Sequence, residues 1–163
     1  MDPLWLKYVH ILGAIVIFGT GLGTAFHMWC AHLTGEPRVI AAAGRSTVLA
    51  DWLFTTPAVI LQPITGTALA WTYGWSLLEP WLLTSLALYV LTGACWLPVV
   101  WLQIRMKQMA EVAARTGEPL PPRYRRYAWI WFALGWPAFV AMFAILYLMT
   151  FKPGWILERR ARG

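Results

Sequence analysis

Four stretches of this chain, residues 4–33, 47–73, 80–103 and 129–151, each exceed twenty residues and carry at most one Asp, Glu, Lys or Arg. About 20 apolar residues cross the hydrocarbon of a bilayer. Lipid offers a backbone no partner, so each such segment must close its own hydrogen bonds as helix. The sequence therefore predicts an all-α polytopic membrane protein, a four-transmembrane-helix bundle, with residues 1–163 forming a single integral membrane domain. The third helix is expected to run on as a polar extension to about residue 115. Composition agrees: 12% of residues are charged, against about 25% in soluble domains. Twelve tryptophans suit the lipid–water boundary, where an apolar ring with one polar atom is at home. A soluble α protein would need polar helix faces that these stretches lack.

Pro57 and Pro63 interrupt the second helix, Pro98 the third, and Pro137 lies near the start of the fourth. Each removes a backbone donor and frees a carbonyl, so each predicts a kink whose carbonyl a neighbour must satisfy. Cys30 and Cys95 both sit in apolar stretches without CxxC spacing, which predicts packing residues rather than a zinc site or a disulfide. The first apolar run is too long for a cleavable signal and is expected to remain as helix 1.

Lys and Arg residues set the expected orientation. The loops joining helices 1–2 and 3–4 share one side and carry Arg38, Arg45, Arg105, Lys107, Arg115, Arg123, Arg125 and Arg126. The opposite side has Lys7, Lys152, Arg159, Arg160 and Arg162. This balance leans toward periplasmic termini in a bacterial inner membrane, although the basic tail opposes it. Basic groups meeting anionic headgroups account for the net charge of +6 without nucleic acid. The chain has no GxxxxGK[ST], GxGxxG or HExxH motif, and no nucleophile–base–orienter set assembles for hydrolysis.

All three histidines fall on helix 1. At 100° and 1.5 Å per residue, His10 and His32 share a face to within about 40° but stand about 33 Å apart. His27 is turned from His10 by about 100°. No two can ligate one haem iron or one zinc within a monomer. A haem must then rest on one histidine, or take a second ligand such as Met149 or Tyr147 near His10, or Met106, Met109 or Lys107 near His27 and His32. A homodimer is the other source of a second histidine. Between the histidines, Gly19 and Gly23 form a GxxxG stripe that lets a helix or a flat macrocycle approach the backbone. Ionisable groups inside membranes are costly and therefore suggestive. Asp51 at the expected start of helix 2, with Arg45 and Arg105, is a candidate for relaying protons or binding propionates, alongside His27; all four are equally suited to anchoring a membrane boundary.

Lys7-x-x-His10-Ile11-Leu12, a glycine-bearing middle, His32, Thr56-Pro57-Ala58-Val59-Ile60 followed by Gly66, Arg123-Tyr124-Arg125 and Lys152-Pro153 together resemble a family of small, uncharacterised bacterial integral membrane proteins. That family is similar in turn to HemJ-type protoporphyrinogen oxidases and more remotely to CopD-like copper-resistance proteins. The resemblance implies a haem b site with His10 and His32 at the positions of the HemJ first-helix histidines. HemJ proteins also carry a lysine and a histidine in helix 3, whereas residues 81–103 here hold neither; Ser85 and Trp96 stand roughly there.

The resulting expectation is a haem b-binding membrane oxidoreductase or electron carrier exchanging electrons with quinone. His10 would be the axial ligand to iron, Gly19 and Gly23 would accommodate the macrocycle, and Arg45 and Arg105 would hold propionates. The alternative is a non-enzymatic protein, either an accessory subunit of a larger membrane complex or a CopD-like metal handler. In the latter, Met106, Met109, Met142 and Met149 would offer Cu(I) the soft ligands it prefers.

Overall fold

A computed structural model describes residues 2–153; Arg159, Arg160 and Arg162, used in the orientation argument, lie outside the described residues. Every element among the described residues is helical. Helix α1 spans Pro3–Thr34; α2 (Pro37–Ala50), a π-helical turn (Asp51–Thr55) and α3 (Thr56–Thr72) form one continuous rod; α4 spans Pro80–Thr116 and α5 Pro122–Phe151. Four rods are long and apolar enough to cross a membrane; the apolar windows of α1, α4 and α5 are at most 6% buried within the protein, and that of the second rod 28%. Lipid must cover those side chains, as the sequence requires.

The ends follow local chemistry. Asp2 caps α1 by accepting from the Leu4 N–H at 2.8 Å, with Pro3 in the first turn, where its missing donor costs nothing. Gly35 (φ 66°) and Gly117 (φ 74°) end α1 and α4 in the left-handed conformation that glycine adopts freely. Lys152 ends α5 in the same region (φ 41°), directly before Pro153, which cannot continue a helix.

Two boundaries differ from expectation. The second rod begins at Pro37 rather than residue 47, because α2 is amphipathic. It buries Ile40, Ala41, Ala43, Gly44 and Thr47 while leaving Arg38 and Arg45 exposed. Asp51 is consequently in the middle of the rod, not at its start. The fourth rod begins at Pro122 rather than 129, with Arg123, Arg125 and Arg126 exposed on its first turns.

Proline explains the π turn. Pro57 has no N–H, so the carbonyl four residues back cannot receive its normal helical bond. Immediately before it the ladder widens, and the Thr56 N–H reaches five residues back to the Asp51 carbonyl.

Packing places one core at each end. Near the α1–α2 and α4–α5 connections, Met28, Ile40, Leu102, Met106, Tyr124 and Trp131 form the larger core. Gly44 makes it possible: a Cβ there would lie 3.0 Å from Lys107 Cβ, so α2 and α4 approach closely only because the side chain is absent. At the opposite end Ala70, Trp81 and Leu82 pack with Trp75, Leu148 and Met149. Helix α1 packs mainly on α2 and α3, and α4 on α5 and α2. Between these two halves the centre of the bundle stays open.

Candidate functional site

The opening is a cavity of about 640 Å³, open on one side, lined by α1, the second rod, α4 and α5; Phe26, Trp136 and Phe143 at its mouth are exposed. Its lining on α1 runs from Ala14 to Trp29, a length of about 22 Å. Aromatic rings dominate the walls, including Trp96, Phe132, Trp136 and Phe139, with Phe18 edge-on to Phe139 and Phe143. A volume in the range of small-molecule sites, apolar with a few placed polar groups, is what a ligand cavity offers.

The polar groups distinguish it from a packing defect. Asp51 and Gln103 are each 5% exposed and Trp131 6%, and all three line the cavity. Asp51 Oδ2, Gln103 Oε1 and Trp131 Nε1 have no hydrogen-bond partner in the protein, nor does Gln62 Oε1, also in the lining. Buried polar atoms are nearly always satisfied, and leaving one bare in an apolar setting costs about 1–3 kcal/mol. Asp51 is held from one side only, where Thr55 Oγ1 donates to Oδ1 at 3.1 Å. Its position on a π turn fits the tendency of such turns to mark functional positions, and an acidic group within a membrane rod is itself a functional signal.

Tyr89 closes a different account. Pro63 has no N–H for the carbonyl of Val59, four residues back; the Tyr89 hydroxyl donates to that carbonyl from α4. Both Tyr89 and Val59 line the cavity, so the carbonyl that Pro63 leaves free is satisfied by a neighbouring helix.

His10 lies beside this space rather than in it. Thr65 Oγ1 donates to the Leu61 carbonyl at 2.8 Å, so towards His10 Nδ1, 2.8 Å away, it acts as acceptor. With the Thr65 hydroxyl on Leu61, the proton sits on Nδ1 and Nε2 keeps its lone pair, which Gln62 Nε2 approaches at 3.5 Å. Two glycines make the arrangement possible. A Cβ on Gly66 would be 3.1 Å from the His10 ring, and one on Gly13 would be 2.6 Å from Gln62 Oε1.

The other candidates are dispersed. His32 Nδ1 is bonded to the Tyr124 hydroxyl, its ring edge-on to Trp131, and its Nε2 is buried without a partner. His27 is exposed on α1. Gly19 and Gly23 face outward, where a Cβ would meet nothing within 4 Å; the glycine of that run that faces the cavity is Gly21, near Phe139. Arg45 pairs with Glu111 at 3.5 Å and Arg105 with Gln108, its guanidinium over Trp101; neither lines the cavity. Met106 and Met109 belong to one core, Met149 to the other, and Met142 to the cavity wall. No group of three or more His, Cys, Asp or Glu that could hold a metal ion exists among the described residues.

Sequence reasoning passed over Gln62, Gln103, Tyr89 and Trp131. The signal for the two glutamines was present: each is a polar side chain within an apolar run, which is as anomalous as a charge. Trp131 had none, being one tryptophan of twelve.

Fold and site together define an integral membrane protein, a helical bundle with a half-open cavity between its apolar rods. The chain belongs to the family of predicted integral membrane proteins designated DUF2269, which matches residues 4–153. No curated protein and no solved structure matches it.

Proposed function

We propose that the cavity is the working site of this protein and that it binds a lipid-soluble, ring-bearing carrier of the quinone class, taken from the surrounding bilayer of a bacterial inner membrane. The observation that carries this reading is that Asp51, Gln103 and Trp131 each bring a buried, partnerless polar atom to the lining of one long aromatic-walled space. An indole N–H suits a ring carbonyl, a carboxylate suits a ring hydroxyl, and an amide suits either. The remaining length accepts an apolar tail. Tryptophan fluorescence in lipid nanodiscs tests it, since Trp96, Trp131 and Trp136 line the site. A decyl-substituted benzoquinone is expected to quench saturably, and a cavity-filling Gly93→Leu variant to abolish the saturable part. Quenching that only follows membrane concentration, identically in both proteins, contradicts the reading.

Haem b fits the cavity poorly, because its lining contains no histidine for iron and no Lys or Arg for propionates. The second reading, haem on the HemJ-like His10, rests on a separate observation: Thr65 Oγ1 stands 2.8 Å from Nδ1, and with its hydroxyl on the Leu61 carbonyl it leaves Nε2 as the basic nitrogen, the preparation that metal-ligating histidines receive from their partners. A Soret band in protein purified from haem-replete cells, lost in His10→Ala, supports it. Absence of the band, or its persistence in the variant, removes it.

A further inference from the structure

Resting on the quinone-class reading, we infer that Asp51 is the group that distinguishes the oxidised from the reduced form of the bound carrier. Because Thr55 donates to Oδ1, Oδ2 is the atom left for the ligand, and it is buried with no partner in the protein. A carboxylate only accepts, whereas a carboxylic acid also donates. Ionised Asp51 therefore accepts from the hydroxyl of a quinol, and protonated Asp51 donates to the carbonyl of a quinone. A single side chain thus prefers opposite forms of one ligand on either side of its titration.

Among the described residues, Asp51 is the one charged residue in the lining; half-buried Lys107 of α4 packs against Gly44, about two turns from Asp51 on the same rod. The π turn packs against α1, α2 and α3. On α1, Lys7, Tyr8, His27 and Cys30 are exposed, while His10 and His32 are turned to Thr65 and Tyr124. On α2, Arg38 and Arg45 are exposed, and α3 has no titratable side chain. The other titratable group in the lining is Tyr89 of α4, whose hydroxyl is committed to Val59. Gln103 and Trp131 complete the polar lining without titrating in this range.

The test is the ratio of quinol to quinone affinity, measured anaerobically with decyl-benzoquinone and its quinol in nanodiscs across a pH series. In the wild type the ratio is expected to rise with pH by about tenfold, the scale of one hydrogen bond to a charged group. In Asp51→Asn the ratio is expected to be flat with pH, whatever affinity the variant keeps for either form. A flat ratio in the wild type, or an equal rise in Asp51→Asn, overturns the inference and leaves the carrier site standing. If the wild type binds neither form, the carrier reading itself fails and takes this inference with it. Should Asp51→Asn not fold, infrared difference spectra of the wild type decide: adding the quinone must perturb a carboxylic-acid C=O stretch, and an unperturbed band overturns the assignment.

Discussion

The hydroxyl of Tyr89 on α4 donates to the carbonyl of Val59 on α3, the acceptor that Pro63 leaves without a helical partner. Two residues 30 apart in sequence thereby complete one helix turn, and both line the cavity. Tyr89→Phe is expected to lower stability by about 1–3 kcal/mol, the cost of a bare buried carbonyl. Restoring the backbone donor with Pro63→Ala should recover much of that loss. The check is a double-mutant cycle of unfolding in detergent. Strict additivity would show that the two residues are not coupled.

Gly66 and Gly19 should respond in opposite directions to the same change. Ala at 66 puts a Cβ 3.1 Å from the His10 ring, and overpacking of that kind costs about 1–3 kcal/mol. At 19 nothing lies within 4 Å, so Ala should gain up to about 1 kcal/mol of helix propensity. Thermal unfolding of the two variants checks both signs. Destabilisation or loss of an oligomer in Gly19→Ala would instead show a partner helix seated on the outer face.

Lys152 supplies a pH prediction. Partial burial pushes its ammonium below the ordinary lysine value of 10.5, and the positive charge of Lys7 lowers it further; the ammonium stands 3.9 Å from the centroid of the Trp75 ring. Between the folded and ordinary values the unfolded chain binds more protons, so this group makes stability rise with pH there, with the gain complete near 10.5. Lys7→Gln removes one cause and raises the Lys152 value. At a fixed pH near 9 the variant's Lys152 should then react more slowly with an amine reagent, read by peptide mass spectrometry. An unchanged rate would show that Lys7 does not act on it.

The four spanning rods were legible because a long uncharged segment exposed to lipid must close its own backbone hydrogen bonds as helix. The boundaries at 37 and 122 were not, since α2 mixes Arg38 and Arg45 with its buried face and α5 opens on Arg123, Arg125 and Arg126. Both are amphipathic ends outside the apolar runs, and hydropathy alone does not register them. The histidine spacing on α1 was correctly read as separating His10 from His32; they contact different helices, α3 and α5. What no spacing argument on one helix reveals is which residues of other helices close around a common space. Asp51 was legible as an ionisable group and a candidate proton relay, placed at a helix start; that Gln103 and Trp131 line the same space emerged only when three rods were brought together.

The central claim is that the cavity holds a small lipid-soluble carrier. Its most direct test is to purify the protein in native lipid, extract it with organic solvent and quantify quinones by mass spectrometry against bulk lipid from the same preparation. Quinone is expected to be enriched towards one per chain in the wild type and to return to the bulk level in Gly93→Leu. A quinone content that matches bulk lipid in both proteins would contradict the account.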